Sequence, residues 1–240
     1  MQTISDRAKV PDREIARPAV VAGRTRQLMV ILLVAGLILI GLVFVASQAN
    51  PDAIDVGVTL WMQQFQHPAV AALMYWVSWF GFAPQAWIMP LGVASPFALR
   101  RLWAEALWIP GTQVASLVTI ALKDVVHRAR PSPELVGVFR PLGDPSFPSG
   151  HVVQYTMLFG FTFFLAYVLL RPSPGRTLAL IVLMIPIALV GPSRVYLGQH
   201  WPTDVLAGYA LSVVLLVPYG WAYANWRLDA ARSRFRVAVP

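Results

Sequence analysis

Long apolar runs recur along this chain at a length suited to a lipid bilayer. Residues 28–46 form the most uniform, nineteen positions with no charge and no polar side chain. A bilayer core about 30 Å thick requires roughly 20 such residues in a helix. Within it the backbone must satisfy its own N–H and C=O groups, which a helix does. Comparable runs cover residues 82–99, 102–122, 152–170, 177–192 and 205–223, with Pro186 inside the fifth. Charged residues make up only 12% of the chain, against roughly 25% in soluble domains. The expected fold class is all-α, a six-span transmembrane helix bundle with an additional interfacial helical segment. Its domains are a basic tail over 1–27, a transmembrane domain over 28–226 and a second basic tail over 227–240.

The interfacial segment is residues 52–66. Asp52, Asp55, Gln63, Gln64 and Gln66 alternate there with apolar residues, as in a helix lying in the membrane surface. His67-Pro68 ends it. Residues 69–80 are apolar but too short to cross, and are expected to lie along the surface or dip in. A cleaved signal peptide, with Ser47-Gln48-Ala49 as its small-residue site, competes for the first run. That run exceeds the 7–15 residues of a signal core, which favours a retained anchor.

Basic residues orient the bundle. With six spans, both tails, Arg100-Arg101 and the 171–176 loop fall on one side. The other side keeps only Lys123, Arg128, Arg130, Arg140 and Arg194 of the nineteen Lys and Arg. The positive-inside rule makes the richer side cytoplasmic. Both termini are therefore expected inside, in a bacterial inner membrane, with residues 123–151 and 193–204 together on the extracytoplasmic face. Membrane topology also explains the net charge of +8, so no nucleic-acid partner is expected. The absence of Cys excludes disulfide and thiolate chemistry.

Three polar clusters share that outer face. Lys123 to Pro131 ends the third run with Lys123, Arg128 and Arg130, and snorkelling cations are its ordinary explanation. Pro148-Ser149-Gly150-His151 opens the fourth run. A helix N-terminus there offers free N–H groups to an anion, Ser149 a hydroxyl, and Gly150 a close backbone approach. A capping serine beside an interfacial histidine is the plainer alternative. The third cluster runs from Ser193 to Asp204. His200 and Asp204 are four apart, so on a helix the carboxylate can orient the imidazole. Arg194 adds a cation. Taken together, these groups match a phosphate ester better than any cluster does alone.

The three stretches, K-x6-R-P at 123–131, P-S-G-H at 148–151 and S-R-x5-H-x3-D at 193–204, resemble the signatures of the phosphatidic acid phosphatase type 2 superfamily. The resemblance spans about residues 50–225. It implies that His200 is the nucleophile, forming a phosphohistidine, and that Asp204 orients it. It implies that His151 is the general acid and base. Lys123, Arg130, Ser149, Gly150 and Arg194 would bind the phosphate. No metal and no cofactor is expected, because Asp52, Asp55, Asp124, Glu134, Asp144 and Asp204 look scattered and fixed cations can replace an ion. The implied activity is hydrolysis of a membrane lipid phosphate or diphosphate, such as phosphatidic acid or undecaprenyl diphosphate. Phosphotransfer to another acceptor remains open, as does a non-enzymatic lipid-phosphate binding or transport role. Phe139, Phe147, Tyr196 and Trp201 could meet a headgroup, though packing is the simpler reading of each. Arg128 and Arg140 could steer anionic lipid, though solvation in a loop is the simpler reading, and His67 and His127 read as interfacial.

Overall fold

The computed structural model describes residues 24–48 and 53–237, with side chains as far as Asp229. Among these residues every regular element is a helix. In chain order they are α1 (Thr25–Ala46), α2 (Ala53–Gln63), α3 (Pro68–Trp79), α4 (Gln85–Leu99), α5 (Trp103–Gly111), α6 (Ala115–Val126), α7 (Gly150–Leu169), α8 (Pro174–Tyr196) and α9 (Pro202–Val237). A single 3₁₀ turn, Thr112–Val114, joins α5 to α6.

Five stretches are long and apolar enough to cross a membrane: α1, the joined α5–α6 unit, α7, α8 and α9 as far as Asp229. The chain is an integral membrane protein. The remaining expected span is present as α4, but with 15 residues it rises only about 22 Å. The end of that expected span nearest the polar clusters is non-helical because residues 80–84 are used differently. They form a turn that lies on His151, and α4 begins after it.

α7 is the centre of the bundle. Its Val152, Val153, Tyr155, Met157, Leu158, Phe161 and Leu165 are all buried. Leu158, Phe161 and Leu165 pack with Ile109 of α5 and Tyr223 of α9. Val152 and Tyr155 pack with Val190 and Val195 of α8 and Val205 of α9. A helix apolar on every face suits this position, since protein covers most of it. α1 is just as apolar but buries only Ala35 and Ala46, so lipid takes the place of protein around it. It lies along α9, where Leu39, Leu42 and Val43 pack near Phe147 and Ala207.

The expected third span is interrupted by the 3₁₀ turn that follows Pro110, a residue lacking the N–H that would continue the ladder. The Ile109 carbonyl accepts from the Thr112 N–H and also from Thr112 Oγ1, at 2.7 Å. At one end of the bundle Glu105 is buried, accepting from Tyr223 Oη at 2.6 Å and pairing with Arg227 at 3.1 Å. At the opposite end α6, α7, α8 and α9 bring the three polar clusters together.

α2 and α3 belong to the polar end. α2 matches the expected interfacial helix in extent, yet Asp55 and Thr59 are fully buried. Gln63 ties α2 to the 132–147 loop, donating to the Gly137 carbonyl at 2.7 Å and accepting from its N–H at 2.9 Å. Gly198 answers from the other side. Its φ is +61°, and a Cβ there would sit 1.9 Å from the Gly137 carbonyl oxygen. Only glycine fits that approach.

Candidate active site

His200 is the middle of the site. It lies in the short link between α8 and α9 and is 2% exposed. Its Nε2 faces Arg130 Nη1 at 3.2 Å. Arginine only donates, so Nε2 must present its lone pair and the ring proton sits on Nδ1. The other side of the ring agrees. Ser146 Oγ donates to Asp204 Oδ2 at 2.5 Å, which leaves an oxygen lone pair for His200 Nδ1 at 3.4 Å. Burial is the first cause that holds the imidazole well below its ordinary pKa, followed by the charges of Arg194, Arg130 and Lys123. A neutral ring with a free Nε2 is the form a nucleophile needs.

Asp204 does not touch His200 as the four-residue spacing suggests. Its Oδ2 stands 3.7 Å from Nδ1, and the Ser146 hydroxyl bridges the two. The reason is local. Asp204 lies in the first turn of α9, and its Oδ2 also accepts the Trp201 N–H at 2.8 Å, closing the turn. Ser146 is fully buried, and nothing in the sequence singles it out.

Arg128 is a correction. The sequence places it in a solvated loop, but it is buried and bridges two carboxylates. Nη1 meets Asp204 Oδ1 at 2.6 Å and Nη2 meets Asp55 Oδ2 at 2.6 Å. Asp55 also accepts from the Thr203 N–H at 2.9 Å and the Thr203 hydroxyl at 2.7 Å. The acids that look scattered in sequence are therefore partly gathered around one guanidinium. His127 sets this up: it ends α6 at φ +49°, and the left-handed turn leads the chain into Arg128.

The other candidate residues lie at the same end. Arg130 donates to the Gln199 carbonyl at 2.5 Å and to Asp144 Oδ1 at 2.8 Å. Lys123 pairs with Asp144 Oδ2 at 3.0 Å and donates to the Pro145 carbonyl. Burial raises the Asp144 carboxyl, but Lys123 and Arg130 together outweigh it and hold the group below the usual carboxylate range. Arg194 is fully buried, donates to Ser78 Oγ, and lies with its guanidinium carbon 5.1 Å from the Phe82 ring centroid. His151 packs edge-on against the same ring, centroids 4.6 Å apart.

Ser149 precedes α7 without capping it. Its N–H goes to the Asp204 carbonyl at 3.1 Å, which joins the second motif to the third. A Cβ on Gly150 would meet only Thr119 Cγ2, at 3.7 Å, so the glycine answers no crowding from the protein itself. Ser149 Oγ, His151 Nε2, and Arg194 Nε and Nη2 are buried and make no hydrogen bond to the protein. A buried donor without a partner costs about 1–3 kcal/mol. Four such atoms lie at one end of the bundle, beside a neutral histidine, and each has hydrogen-bonding capacity that the protein leaves unused. Among the described residues, no three of His, Cys, Asp and Glu stand close enough to share a metal ion.

The 78–82 segment carries no motif, yet it brings Ser78 to Arg194 and Phe82 to both Arg194 and His151. A Cβ on Gly81 would lie 2.1 Å from His151 Cδ2, so that glycine lets the turn close on the ring. Of the four aromatics named from sequence, Phe147 and Trp201 are core residues, and Trp201 Nε1 donates to the Ala129 carbonyl at 3.1 Å. Tyr196 Oη donates to the Phe65 carbonyl at 3.0 Å. Phe139 is 61% exposed.

The fold and these residues define a membrane-embedded helical bundle with a buried, histidine-centred polar cluster at one end. The PAP2 superfamily profile matches residues 106–228, and the chain belongs to that superfamily. Phosphatidylglycerophosphatase B of Bacillus subtilis is 29% identical over 180 residues, covering 71% of this chain and 81% of the relative. A decaprenylphosphoryl-5-phosphoribose phosphatase of Mycobacterium tuberculosis is 30% identical over 174 residues, covering 71% and 90%. The crystal structure of a transmembrane PAP2-type phosphatidylglycerolphosphate phosphatase from Bacillus subtilis superposes with a TM-score of 0.68 at 23% identity, covering 78% of this chain and 93% of that one. LpxE of Aquifex aeolicus gives 0.55 at 22%, covering 73% and 99%. These two structures support the fold.

Proposed function

We propose that this chain hydrolyses the phosphate ester of a membrane lipid without a metal ion, through a phosphohistidine. The observation that carries the reading is the set of buried, unpartnered atoms on Ser149, His151 and Arg194 at the same end of the bundle as a neutral His200. The relatives are themselves named as phosphatases of lipid phosphates.

In this mechanism His200 Nε2 attacks phosphorus in line. The P–N bond forms as the bond to the lipid oxygen breaks, and His151 gives that oxygen its proton. The new imidazolium keeps its Nδ1 proton, held toward Ser146 and the Asp204 carboxylate. His151 then takes a proton from water, which attacks phosphorus, breaks the P–N bond and frees inorganic phosphate. Arg194, Arg130 and Lys123 hold the equatorial oxygens, where charge spreads in the transition state. Arg130 moves from Nε2 to a phosphate oxygen as substrate enters, exchanging a neutral acceptor for a charged one.

The reading is tested by phosphate release in detergent with EDTA present. The panel is phosphatidic acid, phosphatidylglycerol phosphate, undecaprenyl diphosphate and a water-soluble ester. Release that His200→Ala abolishes, with labelled phosphate trapped on the wild type by a quench in alkaline detergent, where the P–N bond survives, is the expected result. Release requiring an added divalent ion, or surviving in His200→Ala, would overturn it.

We further propose that the site faces the extracytoplasmic side of a bacterial inner membrane, with both termini in the cytoplasm. The asymmetry of Lys and Arg supports this. Because the chain has no Cys, a single Leu135→Cys variant reports topology directly. A membrane-impermeant thiol reagent should label it in intact cells, and labelling only after lysis would reverse the orientation.

A further inference from the structure

The three cations of the proposed phosphate cradle are not equally free. Arg194 Nε and Nη2 make no hydrogen bond to the protein. Arg130 is fully committed. A guanidinium has five N–H donors, and in Arg130 each of them faces a protein acceptor. Nε donates to the Asp144 carbonyl at 2.7 Å. Nη1 donates to the Gln199 carbonyl at 2.5 Å and faces His200 Nε2 at 3.2 Å. Nη2 donates to Asp144 Oδ1 at 2.8 Å and to the Pro145 carbonyl at 3.5 Å. Lys123 meets the other carboxylate oxygen, Asp144 Oδ2, at 3.0 Å and donates to the Pro145 carbonyl. One carboxylate therefore joins the two cations, an oxygen on each, as two oxygens of a phosphate would.

Positioning does not account for this carboxylate. Backbone carbonyls already hold both cations: those of Asp144, Pro145 and Gln199 for Arg130, and that of Pro145 for Lys123. The backbone there is itself tied down by the Ser146 N–H, which donates to the Arg128 carbonyl at 2.8 Å. What the Asp144 side chain adds is a negative charge. Its carboxyl lies below the usual carboxylate range, so it is ionised at neutral pH. It is also the member with a way out. Its side chain is 55% exposed, against 11% for Lys123 and for Arg130, so it can turn to water while they stay.

We propose that Asp144 is an internal competitor for the phosphate, holding Lys123 and Arg130 until an incoming phosphate displaces it and returning to them as inorganic phosphate leaves. The inference rests on the phosphatase reading above and assigns the residue that sets affinity for the anion. A phosphate group carries about −1.5 to −2 charges near neutral pH, against a single charge on the carboxylate. It also reaches the unused donors of Arg194 and Ser149, so it wins the exchange. On release, Asp144 takes back both cations. The departing anion then leaves them paired, which lowers the cost of letting it go.

The test is titration calorimetry of inorganic phosphate into purified protein in neutral detergent, with the denaturation midpoint recorded for each variant. Asp144→Asn keeps the shape and the backbone carbonyls but drops the charge. Its Kd for phosphate should fall about tenfold, the scale of one charge-assisted contact. The inhibition constant for phosphate in the lipid assay should fall with it. Asp144→Ala should behave likewise, and Asp144→Glu should stay near wild type. A residue that merely positioned the cations gives the opposite sign. Unchanged or weaker phosphate binding in either the Asn or the Ala variant, at a wild-type denaturation midpoint, would therefore overturn the proposal. The gain in Asp144→Asn should persist in about 1 M salt, where the Debye length is about 3 Å. A gain that salt removes would be long-range repulsion alone, and it too would overturn the proposal. Binding by neither wild type nor Asp144→Asn would sink the phosphatase reading itself, a result distinct from equal binding by both.

Discussion

Asp55 and Arg128 form a buried ion pair at 2.6 Å although 73 positions separate them in the chain. The same guanidinium holds Asp204 at 2.6 Å, so α2, the 128–149 loop and α9 meet at one cation. Removing one member of a buried pair costs about 3–5 kcal/mol, because the other charge is left unmatched. Asp55→Ala should therefore lower thermal stability in detergent by several degrees and reduce turnover with it. An unchanged denaturation midpoint would mean that the pair contributes little.

Ser146 stands between His200 and Asp204. Ser146→Ala leaves a 3.7 Å gap between Nδ1 and the carboxylate with nothing bridging it. Turnover should fall about tenfold, the scale of one hydrogen bond strengthened by charge. KM should change little, because Ser146 reaches the ring and not the proposed phosphate position. Steady-state kinetics on one lipid substrate decide it, and wild-type kcat in the variant would remove the bridge from the mechanism.

Gly81 has a purely steric role. Gly81→Ala puts a methyl 2.1 Å from His151 Cδ2, so either the ring or the turn must move. A displacement of about 1 Å at a reacting group can cost on the order of 10²-fold in rate. The expected signature is a large loss of kcat with the denaturation midpoint close to wild type. Equal losses in both would mean that Gly81 serves the fold as a whole.

His200 should remain neutral where an exposed histidine would be charged. Its pKa in the folded protein is depressed by burial first and by Arg194, Arg130 and Lys123 after that. In the unfolded chain it would take up a proton near 6.5. The residue therefore contributes stability that is fully present above about pH 6.5 and is lost as pH falls toward the depressed value. Imidazole ¹⁵N shifts of the ligand-free protein should show His200 neutral at pH 6 with its proton on Nδ1. Lys123→Met should raise the titration midpoint by removing a nearby positive charge. A ring already protonated at pH 6 would contradict both the burial and the tautomer.

The legible part of the site is the part written locally. Lys123, Arg130, Ser149, Gly150, His151, Arg194, His200 and Asp204 stand in three short motifs, and all lie at one end of the bundle. Motif residues can be found because each spacing is set by one helix end or one turn. Asp55, Ser78, Gly81, Phe82, Arg128 and Ser146 had no such mark. Each acts through a partner far away in sequence, and its identity alone is common in loops. Arg128 shows the difficulty most directly. Two residues from Arg130 in a basic stretch, it reads as solvated, and only the approach of α2 and α9 supplies its two carboxylates.

An all-helical membrane protein, the positions of most spans and the grouping of three polar clusters are legible along the chain. Apolar length and the need to satisfy backbone hydrogen bonds in lipid act residue by residue, so a linear reading captures them. Tertiary structure alone decided that α4 stops short so that residues 80–84 can cover His151. It also decided that Asp204 reaches His200 through Ser146, and that one buried guanidinium joins Asp55 to Asp204. Those outcomes depend on which side chains meet across helices, and the low dielectric of the interior makes each such polar meeting too costly to leave incomplete.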